Sequence, residues 1–149
     1  MNVRVVAVPL AVAALVAACG STAAAPPVGA GTASPAAGPG LGEQRSEAAS
    51  ITIAASWLAT GAPAIRVVMD THSVDLDGFD LATLARARLD GGPWVAPSAW
   101  DAPKGGHHRE GTLAFATLDR ASLEAATLVE LEVRDVAVPS RILRWERPR

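Results

Sequence analysis

The stretch Ile51-Thr52-Ile53-Ala54-Ala55-Ser56-Trp57 sets its larger apolar side chains on alternate residues. Successive side chains of an extended chain point to opposite faces, so a period of two reads as a half-buried strand. The rhythm continues outward along the chain. Ile65, Val67 and Met69 share it, as do Leu113 with Phe115, Val129 with Leu131 and Val133, and Leu143 with Trp145. From Leu84 to Asp90 arginines alternate with smaller apolar residues, and Gly91-Gly92 then gives a hairpin signal before Trp94 to Trp100. About seven short strands at this spacing predict an all-β fold, an immunoglobulin-like β-sandwich over residues 50–149. Phe79 to Arg88 also fits a helix, the alternative being a short turn over Leu81 to Arg86 before a strand, and Ser122 to Thr127 is read as another brief turn. Trp57 and Trp145 lie on the alternating apolar faces and are expected in the core. Trp94 and Trp100, in the proline-containing stretch 93–103, are expected there too, with an exposed platform for a sugar or peptide as the alternative.

Residues 20–49 have a different composition. They are nearly all Gly, Ala, Ser, Thr and Pro, with charge only at Glu43, Arg45 and Glu47 and with Val28 and Leu41 as the only large aliphatics. Too little apolar surface is present to offset the entropy of ordering. The segment 19–49 is therefore expected to be a disordered linker with a typical reach of ~30 Å. An alanine helix is opposed by Pro26, Pro27, Pro35 and Pro39 and by five glycines between positions 29 and 42.

The first eighteen residues explain the single cysteine. Arg4 gives a positive start, Val5 to Val16 is apolar, and Ala17-Ala18 precede Cys19. A short positive region, an apolar run and small residues before a cut site read as an export signal. The apolar run is shorter than the ~20 residues a spanning helix needs. The arrangement around Cys19 resembles the lipobox of bacterial lipoproteins, with Val16 where leucine is commonest. That resemblance implies cleavage after residue 18 and acyl chains such as palmitate on the lipidated Cys19. It also implies an extracytoplasmic protein held to the cell membrane. Each buried methylene contributes ~0.8 kcal/mol, so two or more chains anchor firmly. Ordinary secretion with an incidental cysteine is the competing reading.

Charge narrows the partners. The chain of 149 residues has a net charge of −2, which becomes −3 once the segment carrying Arg4 is removed. Arginines account for all the positive charge except Lys104. No basic stripe with interleaved aromatics appears, so nucleic acid is not an expected partner. Arg141, Arg144, Arg147 and Arg149 make a basic carboxyl end, read as a solvated strand face that would also suit anionic lipid or a cell-wall polymer.

All three histidines fall in two segments, Asp70-Thr71-His72-Ser73-Val74-Asp75-Leu76 and Gly105-Gly106-His107-His108-Arg109-Glu110-Gly111. Imidazole beside carboxylate suits zinc or copper. His72, His107, His108, Asp70 and Asp75 are therefore candidate metal ligands if the segments meet. Adjacent histidines on an extended chain point to opposite sides, so only one of the pair easily joins His72. The alternative is that the histidines only brace loops. Ser73-x-Asp75-x-Asp77-Gly78 fails as a calcium loop because its first position is serine and its twelfth is Leu84. No nucleophile elbow, zinc-protease, phosphate-loop or dinucleotide motif is present, so no catalytic residue and no enzyme activity are expected.

The two histidine segments, with Trp100-Asp101 before the second and Leu113-x-Phe115 after it, resemble a group of small, uncharacterised exported β domains of bacteria and archaea. The similarity covers about residues 50–147. It implies one intact domain and marks His72, His107 and His108 as a unit without naming a ligand. The sequence thus predicts a membrane-anchored binding or structural module of the cell envelope, with transition-metal binding as the alternative.

Overall fold

The computed structural model describes residues 41–148. The expected signal segment 1–18, the expected lipidation site at Cys19 and the expected linker up to residue 40 lie outside those residues.

The fold is an all-β sandwich of two antiparallel sheets. The larger sheet begins with a meander of β1 (Gln44–Ala48), β2 (Ile51–Trp57) and β3 (Ala64–Thr71). It is completed by β6 (His108–Ala114), paired with β3, and by the two-residue β5 (Ala99–Trp100) on the far edge. The smaller sheet places β7 (Leu128–Arg134) between β4 (Ala85–Leu89) and β8 (Ser140–Glu146). Two short helices, α1 (Leu81–Leu84) and α2 (Arg120–Ala125), begin at Asp80 and Asp119, whose side chains accept backbone N–H bonds of the first turn. Among the described residues no helix is long and apolar enough to cross a membrane.

The ordered domain starts earlier than the expected boundary at residue 50. β1 pairs with β2 over Gln44 to Ala48, Leu41 is buried, and the Trp145 indole donates to the carbonyl of Gly42. Residues 41–49 are therefore part of the sandwich and not of a linker. β1 carries no large apolar side chain; main-chain hydrogen bonds and the Leu41 anchor hold it. The Gly91-Gly92 turn also departs from expectation. Asp90 and Gly91 both adopt positive φ, as a tight hairpin turn requires. The returning chain then pairs with β4 only at Val95, opposite Ala87, before β5 joins the other sheet.

Ile51, Ile53, Ile65, Val67, Met69 and Leu113 face Val129, Leu131, Val133 and Leu143 across the core. At the end where the chain enters, Trp57 of the larger sheet meets Phe115 at 5.7 Å and the edge of Trp145 from the smaller sheet at 6.0 Å. These aromatic contacts pin the sheets together there. At the opposite end, inward positions of β6 and β8 carry arginines. Arg109 stands opposite Met69, and Arg141 stands opposite Val133. Arg141 is 5 % exposed and donates to the carbonyls of Ile51, Ala48 and Val136. With no carboxylate in ion-pair distance among the described residues, burial pushes its pKa below the ordinary arginine value. Arg141 and Arg147 are thus not the solvated face expected of the basic carboxyl end. Arg147 donates to carbonyls of Leu123, Glu124 and Ala126 at the end of α2.

The outer face of the smaller sheet is a charged lattice. Glu130 accepts from Arg88 at 2.5 Å and Arg144 at 2.8 Å, and Glu132 accepts from Arg86 and Ser140. Trp94 lies under both Arg86 and Arg88, with guanidinium carbons 4.6 and 4.3 Å from its ring. Trp94 is therefore half-covered by arginine on this outer face, neither in the core as expected nor a bare platform. The bond from Arg88 holds Glu130 below the usual carboxylate range against the opposing effect of burial, and Arg144 adds to it. A depressed carboxyl pKa contributes stability above the ordinary value near ~4.3 and loses it as pH falls through the lower folded value. Urea unfolding between about pH 7 and pH 3 should show stability falling at the acid end. Glu130→Gln should lower stability at neutral pH and flatten the acid slope. An unchanged slope would remove Glu130 from this role.

Candidate functional site

The register of the larger sheet brings the two histidine segments together. Asp70 near the end of β3 stands directly opposite His108 at the start of β6. Asp70 Oδ1 lies 2.5 Å from His108 Nδ1, and both side chains are more than half exposed. The Thr71 N–H donates to the carbonyl of His107, and the Leu76 N–H donates to the carbonyl of Gly106. One row crosses four strands on the outer face: Glu47 opposite Thr52, Thr52 opposite Asp70, and Asp70 opposite His108. Beside this row, Glu47, Ser50, Thr52, Asp70, His72 and Ser73 line a shallow depression of about 350 Å³.

The candidate ligands are not all gathered. Asp70 and His108 meet through their side chains, and His72 lines the depression next to Asp70. His107 takes part through its carbonyl while its side chain is exposed. Asp75 accepts the Asp77 N–H and closes a local turn. Among the described residues no group of three or more His, Cys, Asp or Glu side chains is placed to hold a metal ion.

What laces the two loops is Arg109, which sequence reasoning passed over. It is 6 % exposed. Its Nη1 donates to the carbonyls of Leu76 at 3.0 Å and Phe79 at 2.7 Å, both in the first loop. Its Nη2 and Nε donate to the carbonyls of Ala102 and Pro103 in the second. The same guanidinium lies 5.9 Å from the ring of Trp100, which packs against the core. A planar fork of five donors suits four carbonyls in two loops, a task a lysine ammonium fills poorly.

Asp77 makes the reciprocal tie. Its Oδ1 accepts the N–H groups of Gly105 and Gly106 at 2.9 and 3.1 Å. The Gly105 bond, then the Gly106 bond, holds its carboxyl below the usual range. Gly111 faces inward between Arg109 and Leu113, and a Cβ there would come within 2.6 Å of the Ala102 backbone. The second loop therefore lies close over β6 because that position has no side chain. The one signal for Arg109 in the sequence is parity: positions 109, 111, 113 and 115 lie on the same side of an extended chain.

Loop bracing is thus performed by Arg109 and Asp77 rather than by imidazoles. His72 and His107 are exposed, and among the described residues neither ring has a hydrogen-bond partner. Comparison with protein-family models, curated proteins and solved structures finds no match to this chain.

Arg109→Met keeps much of the side-chain volume and removes the fork. It should cost about 2–4 kcal/mol of stability, read from the denaturation midpoint, because carbonyls closed in by both loops lose their donors. Amide exchange at Leu76, Gly105 and Gly106 should accelerate more than at the centre of β7. Uniform acceleration across both sheets would show that Arg109 does not act on the loops in particular.

Proposed function

We propose that this protein is a lipid-anchored, extracytoplasmic module of the cell envelope whose sandwich binds or braces and carries out no catalysis of its own. The observation that supports this reading is the pre-ordered loop pair at the histidine pole. β2 runs from Ile51, opposite Thr71, to Trp57 beside the point where the chain enters at Leu41. The two poles are separated by the length of that strand, ~20 Å. Arg109 and Asp77 fix the loops internally and leave His72, His107, Asp70 and Glu47 exposed. A fixed polar surface remote from the chain entry suits recognition, since little ordering entropy remains to be lost on binding.

A second reading has its own observation. A carboxylate on one ring nitrogen orients a histidine and leaves the other nitrogen for a metal. Asp70 stands so to His108 Nδ1, and Nε2 has no protein partner among the described residues. Copper or zinc would take His108 Nε2, with His72, which lines the depression beside Asp70, as a further imidazole.

Two measurements test these readings. Metabolic labelling with a palmitate analogue should mark the protein, and Cys19→Ser should abolish the label and move the protein out of the membrane fraction. Retention of the label in that variant would overturn the anchor. Titration of the full chain with Cu(II) and Zn(II) tests the second reading. Saturable binding should be lost in His108→Ala, weakened in His72→Ala, and kept in His107→Ala and Asp75→Ala. Binding no tighter than that of an isolated surface histidine would remove the metal.

A further inference from the structure

The chain-entry pole holds a second cavity, chemically unlike the histidine pole. Its volume is about 230 Å³, and its apolar wall is made by Leu41, Trp57 and Leu58. Arg120, Glu124 and Arg147 supply the charged side. The size is below the ~300 Å³ of the smallest drug-sized pockets, so the occupant is small.

Three features separate this cavity from an ordinary surface dip. Arg120 fixes its rim, donating to the carbonyls of Leu58, Gly61 and Ala62. Leu58 is 36 % exposed, one of two large hydrophobic side chains exposed among the described residues, and it belongs to this wall. Trp57 is 2 % exposed, and its buried Nε1 has no acceptor among the described residues.

Charge decides the chemistry. Two guanidiniums face one carboxylate, and Glu124 is already drawn toward Arg120 at 4.0 Å. Arg147 spends only Nη1 on the end of α2, so Nε and Nη2 have no protein acceptor among the described residues. Those two nitrogens form the side-on edge that receives a carboxylate through two parallel bonds. We propose that this cavity binds a small amphiphilic carboxylate. Its apolar body lies against Leu41, Trp57 and Leu58, and its carboxylate lies on the free edge of Arg147. The proposal is independent of the reading of the histidine pole.

The test titrates the purified full chain, carrying Cys19→Ser, with hexanoate. The readouts are the nitrogen and proton resonances of the Trp57 indole and of Arg147 Nε. Both should shift saturably, and hexanol should bind at least about tenfold more weakly because it lacks the charge. Arg147→Lys keeps the charge, loses the fork and should weaken binding. Leu58→Asp places a carboxylate on an exposed wall position; it should abolish binding while leaving the melting temperature unchanged. Vesicles of phosphatidylglycerol distinguish a free ligand from a lipid headgroup of the same sign. No saturable shift by about 10 mM hexanoate, equal binding of hexanol, retention of binding in Leu58→Asp, or response to the vesicles alone would each overturn the proposal.

Discussion

Two buried guanidiniums, with backbone carbonyls as their only hydrogen-bond acceptors among the described residues, close one end of this sandwich. Arg109 and Arg141 occupy inward strand positions that the apolar alternation would otherwise give to aliphatic residues. A charge out of water is costly unless its donors are matched. Here carbonyls of loops and strand ends match the donors of Arg109 and the two Nη groups of Arg141, whose Nε has no acceptor among the described residues, so the loops must take the shape that supplies them. Arg109 thereby fixes the 76–79 and 102–103 segments, and Arg141 fixes the turns around Ala48 and Val136. The geometry of the histidine pole depends on satisfying these two side chains.

The opposite pole solves the same closure problem by packing. Trp57, Phe115 and Trp145 fill the space between the sheets, and the Trp145 indole reaches out to hold the incoming chain at Gly42. Arginine appears there too, but at the surface, where Arg120 and Arg147 gather carbonyls of a loop and of a helix end. Most connections of the domain are therefore tied by side chain to main chain. This gives a physical reason for arginine outnumbering lysine so heavily: a fork serves two or three carbonyls at once, and an ammonium does not.

The strands that were legible in the sequence are those with large apolar residues at alternate positions, such as Ile51 to Trp57 and Val129 to Val133. β1 was illegible because Gln44 to Ala48 contributes backbone pairing and almost no apolar surface, and Leu41, read as linker, stands alone in a segment of small residues. At the candidate site, the meeting of the two histidine segments was legible from their strand-end positions, whereas His107 parts from His108 because it lies in the turn before β6. The part played by Arg109 was not. A charged residue among glycines and histidines reads as loop surface, and its burial depends on carbonyls thirty residues away in the chain. Asp75 and Asp77 look alike in the sequence, yet one closes its own turn while the other ties down the second loop.

β1 has a further consequence for the integrity of the sheet. It covers the outer edge of β2 along five register pairs and is itself polar, with Arg45 and Glu47 turned outward. Charged residues on an edge strand discourage pairing with other chains. A chain cut back to Ser50 would strip this cover and bare a strand rich in isoleucine, with a full row of unpaired amides. Such an edge is a template for self-association. The first few residues of the domain thus act as its guard against aggregation, a duty distinct from anything its two poles recognise.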